Sequence, residues 1–167
     1  MYWIILILLF TLLLHEFGHY LSAKIQGLIV DKFSFSLKPI PHLYVSIIDN
    51  KISLRKRILF LLSGNMIIIL SFLIFLLSGF ECKYIYYAFA YQIILDTNPF
   101  FSDYVITIIS YLYKKEIYHS FIENKMEVDI NNLKKKYMFS PIWYIHFVLW
   151  GILIIFIVSP SFLNIYF

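Results

Sequence analysis

The chain has 167 residues, 61% of them hydrophobic and 14% charged, with a mean hydropathy of +0.79. So little charge excludes a soluble domain of this size and predicts one compact integral membrane unit set in a lipid bilayer. The single Cys82 excludes an internal disulfide and a cysteine zinc cluster, nothing points to a nucleic-acid partner, and the placing of the cations says more than the net charge of +4.

The first apolar run, 2–22, is long enough to cross a hydrocarbon core of about 30 Å at about 1.5 Å per residue. No Lys or Arg precedes it and no small-residue cleavage site follows it, which predicts a retained span rather than a signal peptide. Toward its end stands His15-Glu16-Phe17-Gly18-His19. Residues four apart share a helix face, so His15 and His19 can turn their imidazoles to one metal ion. Zn²⁺ takes two imidazoles and a carboxylate and keeps one position for water. Glu16 is then placed to take a proton from that water and pass it to a leaving amine, which suits peptide hydrolysis. The bland reading is a set of polar side chains satisfied inside a helix bundle, and the cost of burying ionisable groups in a membrane weighs against it.

Residues 28–52 change texture. Phe33-Ser34-Phe35-Ser36-Leu37 alternates apolar and polar, Lys38-Pro39-Ile40-Pro41 is a turn signal, and Tyr44-Val45-Ser46-Ile47-Ile48 resumes a β-rich run that Asp49-Asn50 closes. This predicts a membrane-associated β-hairpin, with an ordinary polar-side loop as the alternative. His42 falls in the turn and is expected to be solvated. A second span, 58–80, contains Ser63-Gly64-Asn65 near its start. Small residues there let another backbone approach, and Asn65 needs a hydrogen-bond partner, by packing or as a substrate-positioning group.

The third run, 84–113, is longer than one bilayer needs and carries Asp96-Thr97-Asn98-Pro99-Phe100-Phe101-Ser102-Asp103 in its middle. Pro99 removes a backbone donor and opposes helical geometry at Asn98, and a broken helix is tolerated in a membrane only when buried in protein or lining a cavity. The connection 114–140 is polar, with Lys134-Lys135-Lys136 attracted to anionic lipid on short surface helices or else solvated in a loop; His119 there is expected to be exposed. The last span, 141–158, holds His146, a candidate for a contact behind the metal ligands or to substrate, or a satisfied structural histidine. The predicted fold is therefore an all-α polytopic membrane protein with four transmembrane helices and a hairpin between the first and second.

Lys and Arg number seven in the first connection, one in the second and six in the third, with none at either end of the chain. That alternation predicts both termini outside the cell membrane and both long connections in the cytoplasm. His15 then lies about 10 Å from the cytoplasmic end of its span and Asp103 about 15 Å from the end of its own. Asp96 is two turns further away, so Asp103 is the better third ligand and Asp96 is expected to pair with polar groups or line the cavity.

These residues resemble the site-2 protease family of intramembrane zinc metalloproteases, in a small form without a PDZ domain. His15-Glu16-Phe17-Gly18-His19 is similar to the family's H-E-x-G-H, Ser63-Gly64-Asn65 to its small-residue and Asn signature, and Asn98-Pro99-Phe100-Phe101-Ser102-Asp103 to its Asn-Pro…Asp-Gly motif. The resemblance implies zinc held by His15, His19 and Asp103, Glu16 as the acid/base, and Asn98 positioning a membrane-spanning or membrane-inserted peptide substrate. Tyr104 and Ser102 depart from the family's Gly after and Leu before the aspartate. Three rivals remain: a catalytically inactive accessory or immunity protein, a transporter subunit using Asp96 and Asp103, and a zincin with a soluble active site.

Overall fold

In the computed structural model, residues 2–36, 42–48, 52–114 and 130–159 are described. The expected turn at Lys38-Pro39-Ile40-Pro41, the closing Asp49-Asn50, His119 and the side chain of His42 lie outside what is described. The elements in chain order are α1 (Tyr2–Ile25), β1 (Val30–Ser36), β2 (His42–Ile47), α2 (Leu54–Leu77), α3 (Lys83–Asp96), α4 (Asp103–Leu112), α5 (Ile130–Tyr137) and α6 (Pro141–Val158).

Three helices, α1, α2 and α6, are long and apolar enough to cross a membrane. Each is apolar around its circumference rather than along one stripe, as expected where lipid replaces water. Their ends follow ordinary capping chemistry. Ser140 accepts a hydrogen bond from Trp143 N–H at 3.2 Å, with Pro141 at the first helical position. At the end of α1, Gly27 takes φ +66° while its N–H donates to Lys24 O and Leu28 N–H donates to Ala23 O. That paired closure needs a left-handed residue, which glycine supplies without a Cβ clash.

The third apolar run differs from a continuous helix. It divides into α3, of 14 residues, and α4, of 10, with a non-helical link from Thr97 to Ser102. Neither piece is long enough to cross alone. The cause is local: Pro99 lacks the N–H a helix requires and disfavours helical geometry at the residue before it.

Between α1 and α2, β1 and β2 form a two-stranded antiparallel hairpin, with Phe33 opposite Val45 and Phe35 opposite Leu43. Phe33 and Phe35 are exposed, whereas Val45 is buried against Ala23, Phe60 and Leu61. The hairpin is thus anchored to α1 and α2 through β2. A second cluster joins α2, α3 and α6 through Phe72, Tyr86, Phe89 and Ile157. A third joins α4, α5 and α6 through Val105, Ile109, Leu133, Tyr137 and Trp143. Lipid offers little hydrophobic drive for helix association, so close packing and internal hydrogen bonds carry the cohesion.

Candidate metal centre

α1 sits at the centre, packed on α2, α3 and β2. His15, Glu16 and His19 project from it and are 7%, 5% and 5% exposed. The Nε2 atoms of His15 and His19 are 3.0 Å apart. Asp103, in the first turn of α4, brings Oδ2 to 3.2 Å from the first and 3.0 Å from the second. Three donor atoms from residues up to 88 positions apart thus form a nearly equilateral triangle.

The outer nitrogens fix the tautomers. His19 Nδ1 lies 2.7 Å from the carbonyl oxygen of Phe60, which can only accept, so Nδ1 carries the proton. His15 Nδ1 lies 2.9 Å from Asp96 Oδ2 and donates to that carboxylate, whose other oxygen accepts from Gln92 Nε2 at 2.7 Å. With the tautomers assigned from these partners, neutral imidazoles present lone pairs at both Nε2 atoms, toward each other and toward Asp103. Three lone-pair donors so placed repel one another unless a cation lies between them. Tetrahedral coordination at about 2.0–2.1 Å separates neighbouring donors by about 3.3 Å, close to the edges of this triangle. The donor set fits a divalent metal.

Two carboxylates border the imidazole pair. His15, Glu16 and His19 offer donor atoms that all lie within 4.8 Å of one another, a group able to hold a metal ion whose identity that geometry leaves open. Asp103 approaches both ring nitrogens more closely, while Glu16 Oε2 accepts a hydrogen bond from the backbone N–H of Val45 at 3.0 Å. Glu16 is thereby drawn toward β2, and Asp103 completes the triangle.

Behind the ligands the helices are in backbone contact. A Cβ on Gly18 would lie 2.6 Å from Ser63 O, and one on Gly64 would lie 2.7 Å from His19 Nε2 and 2.8 Å from His15 Nε2. Only glycine admits this approach of α1 to α2. Next to Gly64, Asn65 is 2% exposed, and neither its Oδ1 nor its Nδ2 finds a partner among the described residues. A buried amide left unpaired is costly.

The link from Thr97 to Ser102 holds Asp103 in place. Asn98 spends its amide on that link: Oδ1 accepts from Phe100 N–H at 3.0 Å and Phe101 N–H at 2.9 Å, and Nδ2 donates to Leu95 O. Ser102 Oγ donates to Asn98 O at 2.5 Å. The carbonyls that the break releases are taken up by one face of α6. Trp143 Nε1–H donates to Pro99 O at 3.1 Å, His146 Nε2–H to Thr97 O at 2.9 Å and Trp150 Nε1–H to Ile94 O at 2.9 Å. His146 Nδ1 in turn accepts from the Tyr137 hydroxyl at 2.8 Å. Burial pushes that phenol up to about 12, so it keeps its proton. His146 therefore takes its structural place, clamping the break rather than touching the ligand triangle.

Asp96, expected to pair with polar groups or line the cavity, pairs with His15 and Gln92; Gln92, Trp143 and Trp150 carried no expectation from the sequence. The available signals were Gln92 and Asp96 four apart on one helix, and two indoles flanking His146 in one span. An apolar groove of about 510 Å³ runs between α1 and β1, lined by Phe10, Leu13, Leu14, Phe17, Tyr20 and Phe33. Comparison of the chain with protein-family models, with curated proteins and with solved structures gave no match.

Proposed function

We propose that the protein is an intramembrane zinc metallopeptidase of the site-2 protease kind, cleaving a peptide segment that spans or inserts into the membrane. The observation that carries this reading is the convergence of His15 Nε2, His19 Nε2 and Asp103 Oδ2 within 3.0–3.2 Å, beside the carboxylate of Glu16. A transporter that uses Asp96 and Asp103 as pathway carboxylates gives no reason for two histidines four apart with Glu16 between them.

His15, His19 and Asp103 would hold a zinc ion. Asp96 and the Phe60 carbonyl lock the two imidazoles in the tautomer that presents Nε2 inward, as outer hydrogen-bond partners do at metal sites. Bound there, zinc supplies a Lewis acid that makes water nucleophilic near neutral pH. Glu16 takes the proton of that water on its carboxylate and returns it to the departing amine nitrogen. Asn65 offers its unpaired amide to the substrate backbone. Asn98 shapes the link that delivers Asp103. Apolar substrate side chains fit the groove between α1 and β1.

The third membrane crossing is made by α3 and α4 in series, which with α1, α2 and α6 gives four spans. The break between them lies within the protein, where its polar backbone is satisfied by α6. The cation distribution favours an orientation with both termini outside and the site toward the cytoplasm, the shortest path for water.

The test is cleavage of a panel of membrane-inserted peptides by the purified protein, alongside its zinc content. Glu16→Gln is expected to keep one zinc per chain and lose all cleavage. Cleavage by Glu16→Gln at the wild-type rate refutes the role of Glu16. Stoichiometric zinc with no Glu16-dependent processing favours the inactive accessory protein.

A further inference from the structure

The bond between Glu16 and Val45 ties the carboxylate next to the metal centre to the hairpin, and the direction of that bond is informative. In an antiparallel strand the N–H and C=O of one residue point to the same side, and the side alternates with each residue. Ile48 N–H donates to Ile29 O, so the even residues of β2 face β1. The odd residues, Leu43, Val45 and Ile47, turn their backbone groups to the opposite edge. Among the described residues no strand pairs there. Glu16 Oε2 occupies the middle donor of that edge, the Val45 N–H.

The unpaired edge of a sheet is where an extended peptide adds, by accepting and donating main-chain hydrogen bonds. A strand adding to β2 needs the Val45 N–H for one of its carbonyls. The group in that place now is the Glu16 carboxylate, which offers an oxygen within 4.8 Å of a ring nitrogen of His15 and of His19. A substrate carbonyl bonded to Val45 would therefore lie beside the metal site. Val45 itself is rigidly set: its side chain is 8% exposed and packs with Phe60, whose carbonyl fixes His19.

Resting on the peptidase reading above, we infer that the Val45 N–H is a two-position switch. With the edge empty it holds Glu16 on β2. When an extended apolar peptide adds to β2, the N–H passes to a substrate carbonyl and Glu16 is released toward the reacting bond. The general base is thereby withheld until substrate is in register. Val45 is a positioning residue in this scheme, and its side chain is incidental to it.

The test uses the full-length, metal-loaded protein in lipid nanodiscs and a defined probe: a capped, fluorescent twelve-residue peptide of alternating Val and Thr, followed by anisotropy. Two variants that cannot turn over isolate the switch. Glu16→Gln keeps an amide oxygen for the Val45 N–H, and Glu16→Ala removes the competitor. Glu16→Ala is expected to bind the probe about fivefold tighter than Glu16→Gln, the scale of one neutral hydrogen bond. Adding Val45→Pro to Glu16→Ala removes the donor without touching the β1 ladder, as proline is tolerated at a strand edge. Binding is expected to weaken about tenfold with metal content unchanged, and Val45→Ala in its place is expected to restore it. Equal affinity in the two Glu16 variants overturns the switch, as does failure of the probe to bind Glu16→Ala. If the proline variant does not fold, the comparison of the two Glu16 variants decides alone. Cleavage by the wild type is read separately. Glu16-dependent cleavage with equal probe affinities removes the switch and leaves the peptidase. A fivefold difference without cleavage of any peptide keeps the exchange at the Val45 N–H but removes the peptidase, and with it the role of Glu16 as a withheld base.

Discussion

Replacing Gly64 by Ala measures how closely α2 backs the metal ligands. The added Cβ would lie 2.7 Å from His19 Nε2 and 2.8 Å from Nε2 and Cε1 of His15, some 0.6–0.7 Å inside the 3.4 Å at which ordinary contact begins. Parting the helices to make room would open the close backbone approach of α1 to α2 at Gly18, where a Cβ would lie 2.6 Å from Ser63 O and 2.9 Å from Gly64 Cα. The imidazoles must give instead, by more than the ~0.2 Å within which metal–ligand distances are held. Metal affinity is expected to fall by at least ~100-fold, beyond the usual cost of disturbing a group behind the ligands. Overpacking adds about 1–3 kcal/mol of destabilisation. The assay is competition with a chromophoric chelator, with circular dichroism to show that the helices remain. Gly151→Ala is the control, since a Cβ there meets nothing within 4 Å. Wild-type metal affinity in Gly64→Ala refutes the geometry of the site.

Asp96→Ala removes the acceptor on His15 Nδ1 and is expected to weaken metal binding about 10–100-fold without removing a ligand, read by the same competition. Trp143→Phe leaves the Pro99 carbonyl without its donor and is expected to cost about 1–3 kcal/mol in denaturant or thermal unfolding. The Tyr137 phenol, raised from its ordinary value of 10.0 to about 12, contributes stability that is complete below about pH 10 and is lost as pH rises through about 12. Melting curves across that window should show a loss in the wild type that Tyr137→Phe lacks.

The parts of the site that were legible in the sequence are those written in local spacing. His15, Glu16 and His19 follow from four-residue periodicity on one helix, and the break at Asn98-Pro99 follows from the missing donor of proline. The hairpin was legible from alternation in Phe33-Ser34-Phe35 and the β-rich run at Tyr44, and it stands in register as β1 with β2. What was hidden depends on side chains that meet only after packing. Asp96 and His15 are 81 residues apart, and whether an aspartate in this run meets a metal or the far nitrogen of an imidazole is decided only by packing. The indoles of Trp143 and Trp150 carried no expectation, because the carbonyls they cap are freed only once the third run has divided in two. Val45 carried no signal at all, since its contribution is a backbone N–H that every residue but proline possesses.

That one ion is held by His15, His19 and Asp103 is tested most directly by X-ray absorption at the zinc edge on the purified, metal-replete protein. The expected spectrum shows one zinc per chain in a four-coordinate shell of nitrogen and oxygen at about 2.0–2.1 Å, with the outer-ring scattering of two imidazoles. A chain that retains no stoichiometric metal, or a shell without imidazole scattering, contradicts the account.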